Sequence, residues 1–182
     1  MRLGVLTKLG QEALEQERLG IGVFESHNPE LTFISTPKDK PSRLDGVLAD
    51  ESGVIRAVVE VKSRYGLTLE KFRNVFKDEW LLTYEKLANG AKVAELFHVP
   101  LVGFLYLVED KTLLTIQLAD AFGAYSVPFS VRKTETTRDI NGGVTCRNNA
   151  FIPMKNAKVY RAKVADAPQN ENYPWGRPSP QG

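Results

Sequence analysis

Residues 42–65 read Ser42-Arg43-Leu44-Asp45-Gly46-Val47-Leu48-Ala49-Asp50-Glu51-Ser52-Gly53-Val54-Ile55-Arg56-Ala57-Val58-Val59-Glu60-Val61-Lys62-Ser63-Arg64-Tyr65. Two apolar runs, Leu44 to Ala49 and Val54 to Lys62, flank the polar connection Asp50-Glu51-Ser52-Gly53. A short polar link carrying Gly between β-branched runs predicts a hairpin. Side chains alternate along a strand, so Glu60 and Lys62 share one face and Val59 and Val61 the other. Folding the runs back on each other sets Asp45 opposite the neighbourhood of Val58 to Glu60. Residues so opposed lie roughly 5–8 Å apart, within reach of one metal ion held between two carboxylates. The plain alternative is a solvent-facing hairpin edge with a cross-strand ion pair.

Outward from the hairpin, 182 residues suffice for one domain with a sizeable core, or one domain with an appendage. The net charge of +2 means that nucleic-acid binding has to come from a local basic face. One cysteine, Cys146, excludes an intramolecular disulfide and a cysteine-rich zinc site, as in a reducing cytoplasm. His27 and His98 are the two histidines, far apart in sequence, which disfavours a His-rich metal site or a His-based triad. No apolar run approaches the length of a membrane span and no N-terminal signal-type apolar region appears, so the expectation is a cytoplasmic protein without a membrane partner.

Thr7 to Leu19 predicts a helix, with Thr7 as N-cap, Leu6, Leu9, Ala13 and Leu14 as its apolar positions and Gly20 as its stop. Leu31 to Ile34 predicts a short strand. The stiff polar loop Thr36 to Pro41 follows, and Lys38 and Lys40 there, with Arg43, flank a path for phosphate into the hairpin face. Asp78 to Phe97 predicts a second helix on the spacing of Trp80, Tyr84, Leu87, Ala91 and Ala94. Lys86 sits at the margin of that face, placed to extend its amine into a polar cleft while its stem packs. Leu101 to Val108 and Leu113 to Leu118 predict two strands around the turn Glu109-Asp110-Lys111. This order predicts an α/β fold, a central mixed β-sheet flanked by helices.

An aspartate, a turn, and Glu-x-Lys on the next strand resembles the PD-(D/E)xK nuclease superfamily, closest in style to its phage and RecB-like exonucleases. The resemblance spans roughly Leu6 to Gln117, and Leu44 stands where the motif name has proline. It implies a restriction-endonuclease-like fold and a divalent-metal-dependent deoxyribonuclease, endo- or exonucleolytic. Asp45 and Glu60, with the carbonyl of Val61, would hold Mg²⁺ or Mn²⁺, and Lys62 would assist the attacking water. In that family the first helix often adds a carboxylate; Glu12, bordering the Leu9/Ala13 face, is the candidate, with Glu15 second. RecB-like enzymes carry Y-x-x-Q-L on the later helix; here the stretch is Tyr84-Glu85-Lys86-Leu87, with Lys86 roughly in the glutamine's place, a cation for the scissile phosphate. A catalytically lapsed DNA-binding or protein-interaction module on the same fold is the alternative.

From Ser130 the chain turns basic, with Arg132, Lys133, Arg138 and Arg147 among Thr, Asn and Gly residues. Such a stretch suits contacts to a phosphate backbone, as does Arg64 beside the hairpin, and Phe129 or Phe151, if exposed, suit stacking on unpaired bases. DNA is therefore the expected partner. Residues 1–128 are read as the nuclease-like core, 129–164 as a basic segment completing the same domain, and 165–182 as a proline-rich tail. The tail, with Tyr173 and Trp175, is a candidate contact for a protein partner or a second copy.

Overall fold

The computed structural model describes residues 8–37, 42–135 and 146–163. The hairpin forms as β2 (Gly46–Asp50) and β3 (Ile55–Arg64), antiparallel, with Gly46 opposite Val59. Asp50 closes its turn: one carboxylate oxygen accepts from the Ser52 and Val54 amides at 3.0 Å, and the other takes Arg56 Nε at 2.7 Å. On its other side β3 pairs in parallel with β5 (Leu101–Leu107), which makes it the middle of the sheet. With β1 (Leu31–Ser35), β6 (Thr112–Ala119) and β9 (Lys158–Arg161), the order is β1-β2-β3-β5-β6-β9. Only the β3–β5 pair is parallel, so the sheet is mixed.

The pleat of β3 sends its side chains into two cores. Val59 and Val61 pack with Val23, Phe24, Phe104, Tyr106 and Tyr160 beneath α1 (Lys8–His27). Val58 joins Leu87, Ala91 and Ala94 of α3 (Tyr84–Phe97) on the opposite face. The first helix runs past Gly20, the expected stop. There a Cβ would lie 2.8 Å from Tyr106 Cβ, so glycine lets helix and strand approach closely. The helix ends instead where Asn28 Nδ2 donates to the Phe24 carbonyl at 2.8 Å, before Pro29.

The expected helix from Asp78 is corrected. A short α2 (Leu69–Asn74) precedes β4 (Glu79–Thr83), and the helix begins only at Tyr84. In Glu79-Trp80-Leu81-Leu82-Thr83 the buried residues are Trp80 and Leu82, a period of two, which pairing with β8 (Cys146–Pro153) turns into strand. Left-handed Lys77 and Asp78, at φ 56° and 57°, break the chain ahead of it. With β7 (Ser130–Glu135) these strands form a second sheet, β4-β8-β7. The segment after Ser130 thus contributes to both sheets, its last described strand running from Lys158 to Arg161. The turn at 109–111 forms as expected and has a further use: Glu109 accepts from the Gly66 amide at 3.0 Å and Asp110 from the Leu69 amide at 2.7 Å, fixing the exit of β3.

A candidate charged site on the central hairpin

Asp45 lies one residue ahead of β2. Its amide donates to the Val59 carbonyl at 3.3 Å, and its own carbonyl accepts from the Thr36 amide at 3.0 Å and the Thr36 hydroxyl at 3.1 Å. With the backbone pinned on both sides, the carboxylate turns onto β3, where Oδ2 accepts the Val61 amide at 2.9 Å. Gly46 is required next to it. The Phe33 ring covers that position, and a Cβ there would meet the Ile34 carbonyl oxygen at 2.5 Å.

Glu60 is buried, its side chain 3% exposed. Burying an unpaired carboxylate costs several kcal/mol, and here two ammonium groups offset that cost. Lys86 Nζ, from the first turn of α3, reaches Glu60 Oε1 at 2.7 Å and Asp45 Oδ1 at 3.6 Å. Lys62 Nζ lies 3.5 Å from Glu60 Oε1 and 3.7 Å from Asp45 Oδ2, and donates to the Val61 carbonyl at 2.7 Å. Burial pushes the Glu60 carboxyl above the ordinary glutamate value; Lys62 pulls it back, Asp45 pushes it further up, and Lys86 pulls it back, without cancelling the rise. For Lys62, burial works against the charge, but Asp45, Glu60 and Glu17 together outweigh it and raise the ammonium above its usual range.

The helix acid in this cluster is Glu17, whose Oε1 lies 3.3 Å from Lys62 Nζ. Neither Glu12 nor Glu15 takes that place. Glu12 is exposed, and its backbone carbonyl accepts from Tyr65 Oη at 3.1 Å, while Glu15 pairs with Arg18 on the surface at 2.8 Å. The signal for Glu17 was present in the sequence: Ala13, Glu17, Gly20 and Phe24 form one helical stripe. Glu17 follows Ala13 by one turn on the Leu9/Ala13 face, and the extension of α1 past Gly20 to Phe24 completes that stripe.

Asp45, Glu60 and the Val61 carbonyl are hard oxygen donors gathered about two ammonium groups. That chemistry suits Mg²⁺ or Mn²⁺ better than a soft metal. Among the described residues no group of three or more His, Cys, Asp or Glu side chains is set to hold a metal ion by itself; the lysines stand among the carboxylates. Asp45 and Val61 also border an apolar cleft of about 840 Å³ along α1, lined by Leu14, Ile21, Phe33 and Tyr106.

The expected phosphate contacts divide. Arg43, Lys133 and Arg147 are exposed. Arg147 lines a second cavity, of about 450 Å³, with Thr83, Tyr84, Glu85 and Asn148. Arg64 instead ties the two sheets together, donating to the Leu81 carbonyl at 3.0 Å. Arg132 stacks over the Phe151 ring at 3.9 Å and meets Glu79 at 3.3 Å. Phe151 and Phe129 are therefore not open stacking platforms; Phe129 packs against Tyr84 and Tyr125. Lys38, Lys40, Arg138 and the tail from 165 to 182 lie outside the described residues. Among the described residues no helix is long and apolar enough to cross a membrane. No family model, no curated protein and no solved structure matches this chain.

Proposed function

We propose that the protein is a divalent-metal-dependent deoxyribonuclease on a restriction-endonuclease-like fold. The observation that carries this reading is the gathering of the Asp45, Glu60 and Glu17 carboxylates, from the central hairpin and α1, around the ammonium groups of Lys62 on β3 and Lys86 on α3. A surface ion pair needs no such arrangement, because exposed pairs contribute little, and Glu60 is placed where its charge is costly. Such expense in a mostly apolar sheet is expected where a charge has chemical work.

Asp45, Glu60 and the Val61 carbonyl would hold Mg²⁺ or Mn²⁺. When bound, the ion supplies Lewis acidity to a phosphoryl oxygen and acidifies a water. Lys62, anchored to the Val61 carbonyl and kept cationic by three carboxylates, orients the attacking water and offsets charge developing on the phosphoryl oxygens. Glu17 holds the Lys62 ammonium in place from the helix side. Lys133, Arg147 and Arg43 are exposed cations for the backbone of a DNA substrate.

A second reading is a lapsed enzyme that binds DNA or a protein, favoured by the ion pairs through which the lysines already neutralise the carboxylates. Incubation with linear and circular DNA, with Mg²⁺ or Mn²⁺ against chelator, separates the two. Divalent-dependent cleavage lost in Lys62→Met supports the nuclease. Binding without cleavage supports the second reading, and loss of linear DNA alone marks an exonuclease.

A further inference from the structure

The seat between Asp45 and Glu60 is where the proposed nuclease would bind its cation, and in this structure Lys86 Nζ sits there, 3.6 Å from Asp45 Oδ1 and 2.7 Å from Glu60 Oε1. The two lysines are held differently. Lys62 is anchored to a main-chain carbonyl at 2.7 Å and stands within ion-pairing reach of three carboxylates, its side chain 24% exposed. Lys86 meets two carboxylates and is 35% exposed. It also stands in the first turn of α3, whose N-cap is Thr83. The backbone dipole there disfavours a cation, so the Glu60 and Asp45 contacts are what hold it. With its side chain 35% exposed, Lys86 can turn its amine from the carboxylates towards solvent.

The charges agree with an exchange. Asp45 and Glu60 already share the Lys62 and Lys86 ammonium groups, so a divalent ion entering between the two carboxylates adds a third cationic centre to the same space. Repulsion between that ion and the Lys86 ammonium, the more exposed of the two lysines, favours the departure of Lys86.

Resting on the nuclease reading, we infer that Lys86 is the resident counter-cation of the metal-free site, and that a divalent ion must displace it, freeing its ammonium for the phosphate of the substrate. Lys86 thereby couples metal loading to substrate capture. It keeps Glu60 paired while the ion is absent, and it weakens metal binding for as long as no phosphate is there to receive it.

The test is Mn²⁺ titration of the full chain, read by the electron paramagnetic resonance of free Mn²⁺, in wild type, Lys86→Met, Lys86→Gln and Lys92→Met. The last removes an exposed lysine from the same helix. Both Lys86 variants are expected to bind Mn²⁺ at least about ten-fold more tightly than wild type, with Lys92→Met unchanged. At saturating Mn²⁺ the Lys86 variants should cleave DNA on the order of 10²-fold more slowly, for want of the phosphate contact. Folded Lys86 variants that bind Mn²⁺ no more tightly than wild type overturn the exchange; if wild type still cleaves, the nuclease reading survives alone. If no variant binds Mn²⁺ and wild type cleaves nothing, both fall.

Discussion

Replacing Asp45 by alanine and by asparagine separates its structural contact from its proposed chemistry. Its Oδ2 accepts the Val61 amide at 2.9 Å, and Val61 is 1% exposed, so water cannot replace that acceptor. Alanine leaves the amide orphaned at about 1–3 kcal/mol, whereas the asparagine side-chain oxygen can still accept it. Both variants remove the negative charge that pushes Glu60 upward, and both release Lys62 and Lys86 from one carboxylate, so those effects cancel in the comparison. Asp45→Ala should therefore be about 2 kcal/mol less stable than Asp45→Asn. In a chain of this size that is about 4–8 °C in melting temperature, measured by urea and thermal unfolding without metal. Divalent-dependent cleavage should fall at least about 10²-fold in both. Equal stability of the two variants would refute the Asp45–Val61 contact, and full cleavage by Asp45→Asn would refute the catalytic role.

Further outcomes follow from the same contacts. Lys62→Met leaves three carboxylates short of a cation and should cost the metal-free protein about 2–3 kcal/mol, scaled for its partial exposure from the usual loss on breaking a buried pair. Because folding raises the Lys62 ammonium, that stabilisation is complete below its unfolded value of 10.5 and is lost as pH rises through the folded one. The gap between wild type and Lys62→Met in urea titrations should thus hold from neutral pH upward and close only in strong alkali. Glu60→Gln should make the metal-free protein more stable than wild type at neutral pH. Folding raises the Glu60 carboxyl, so its favourable contribution exists below the unfolded value of 4.5 and disappears as pH rises through the folded one; the advantage of glutamine should vanish towards acid. Gly46→Ala should destabilise the first hairpin edge by about 1–3 kcal/mol, because its methyl meets the fixed Ile34 carbonyl at 2.5 Å. Lys133→Ala and Arg147→Ala should each weaken DNA binding and lower the log–log salt slope by about one.

The central hairpin was legible because its β-branched runs, turn chemistry and charged positions all favour one register, and Asp45 meets β3 within one residue of where the fold-back places it. Lys86 was legible as well, since Tyr84 to Phe97 is helical and keeps the spacing on which it was read. The stretch from Glu79 to Thr83 was not. Trp80 and Tyr84 satisfy a helical interval as well as a strand that runs into a helix, and only pairing with β8, far along the chain, decides. Glu17 was passed over for Glu12 although it follows Ala13 by one turn, and the length of α1 was missed because Gly20 reads locally as a helix stop and acts instead as the point where α1 touches Tyr106. Arg64 and Arg132 looked like free cations because a sequence does not show which carbonyl or ring a long side chain will meet.

The most direct test of the charged site is where a divalent ion binds. Anomalous diffraction from crystals soaked in Mn²⁺ should show one strong peak at about 2.0–2.6 Å from the Asp45 and Glu60 carboxylates and the Val61 carbonyl, with Lys86 turned away. Full soaking with no peak there, and the Asp45 and Glu60 ion pairs to Lys62 and Lys86 intact, would contradict the assignment.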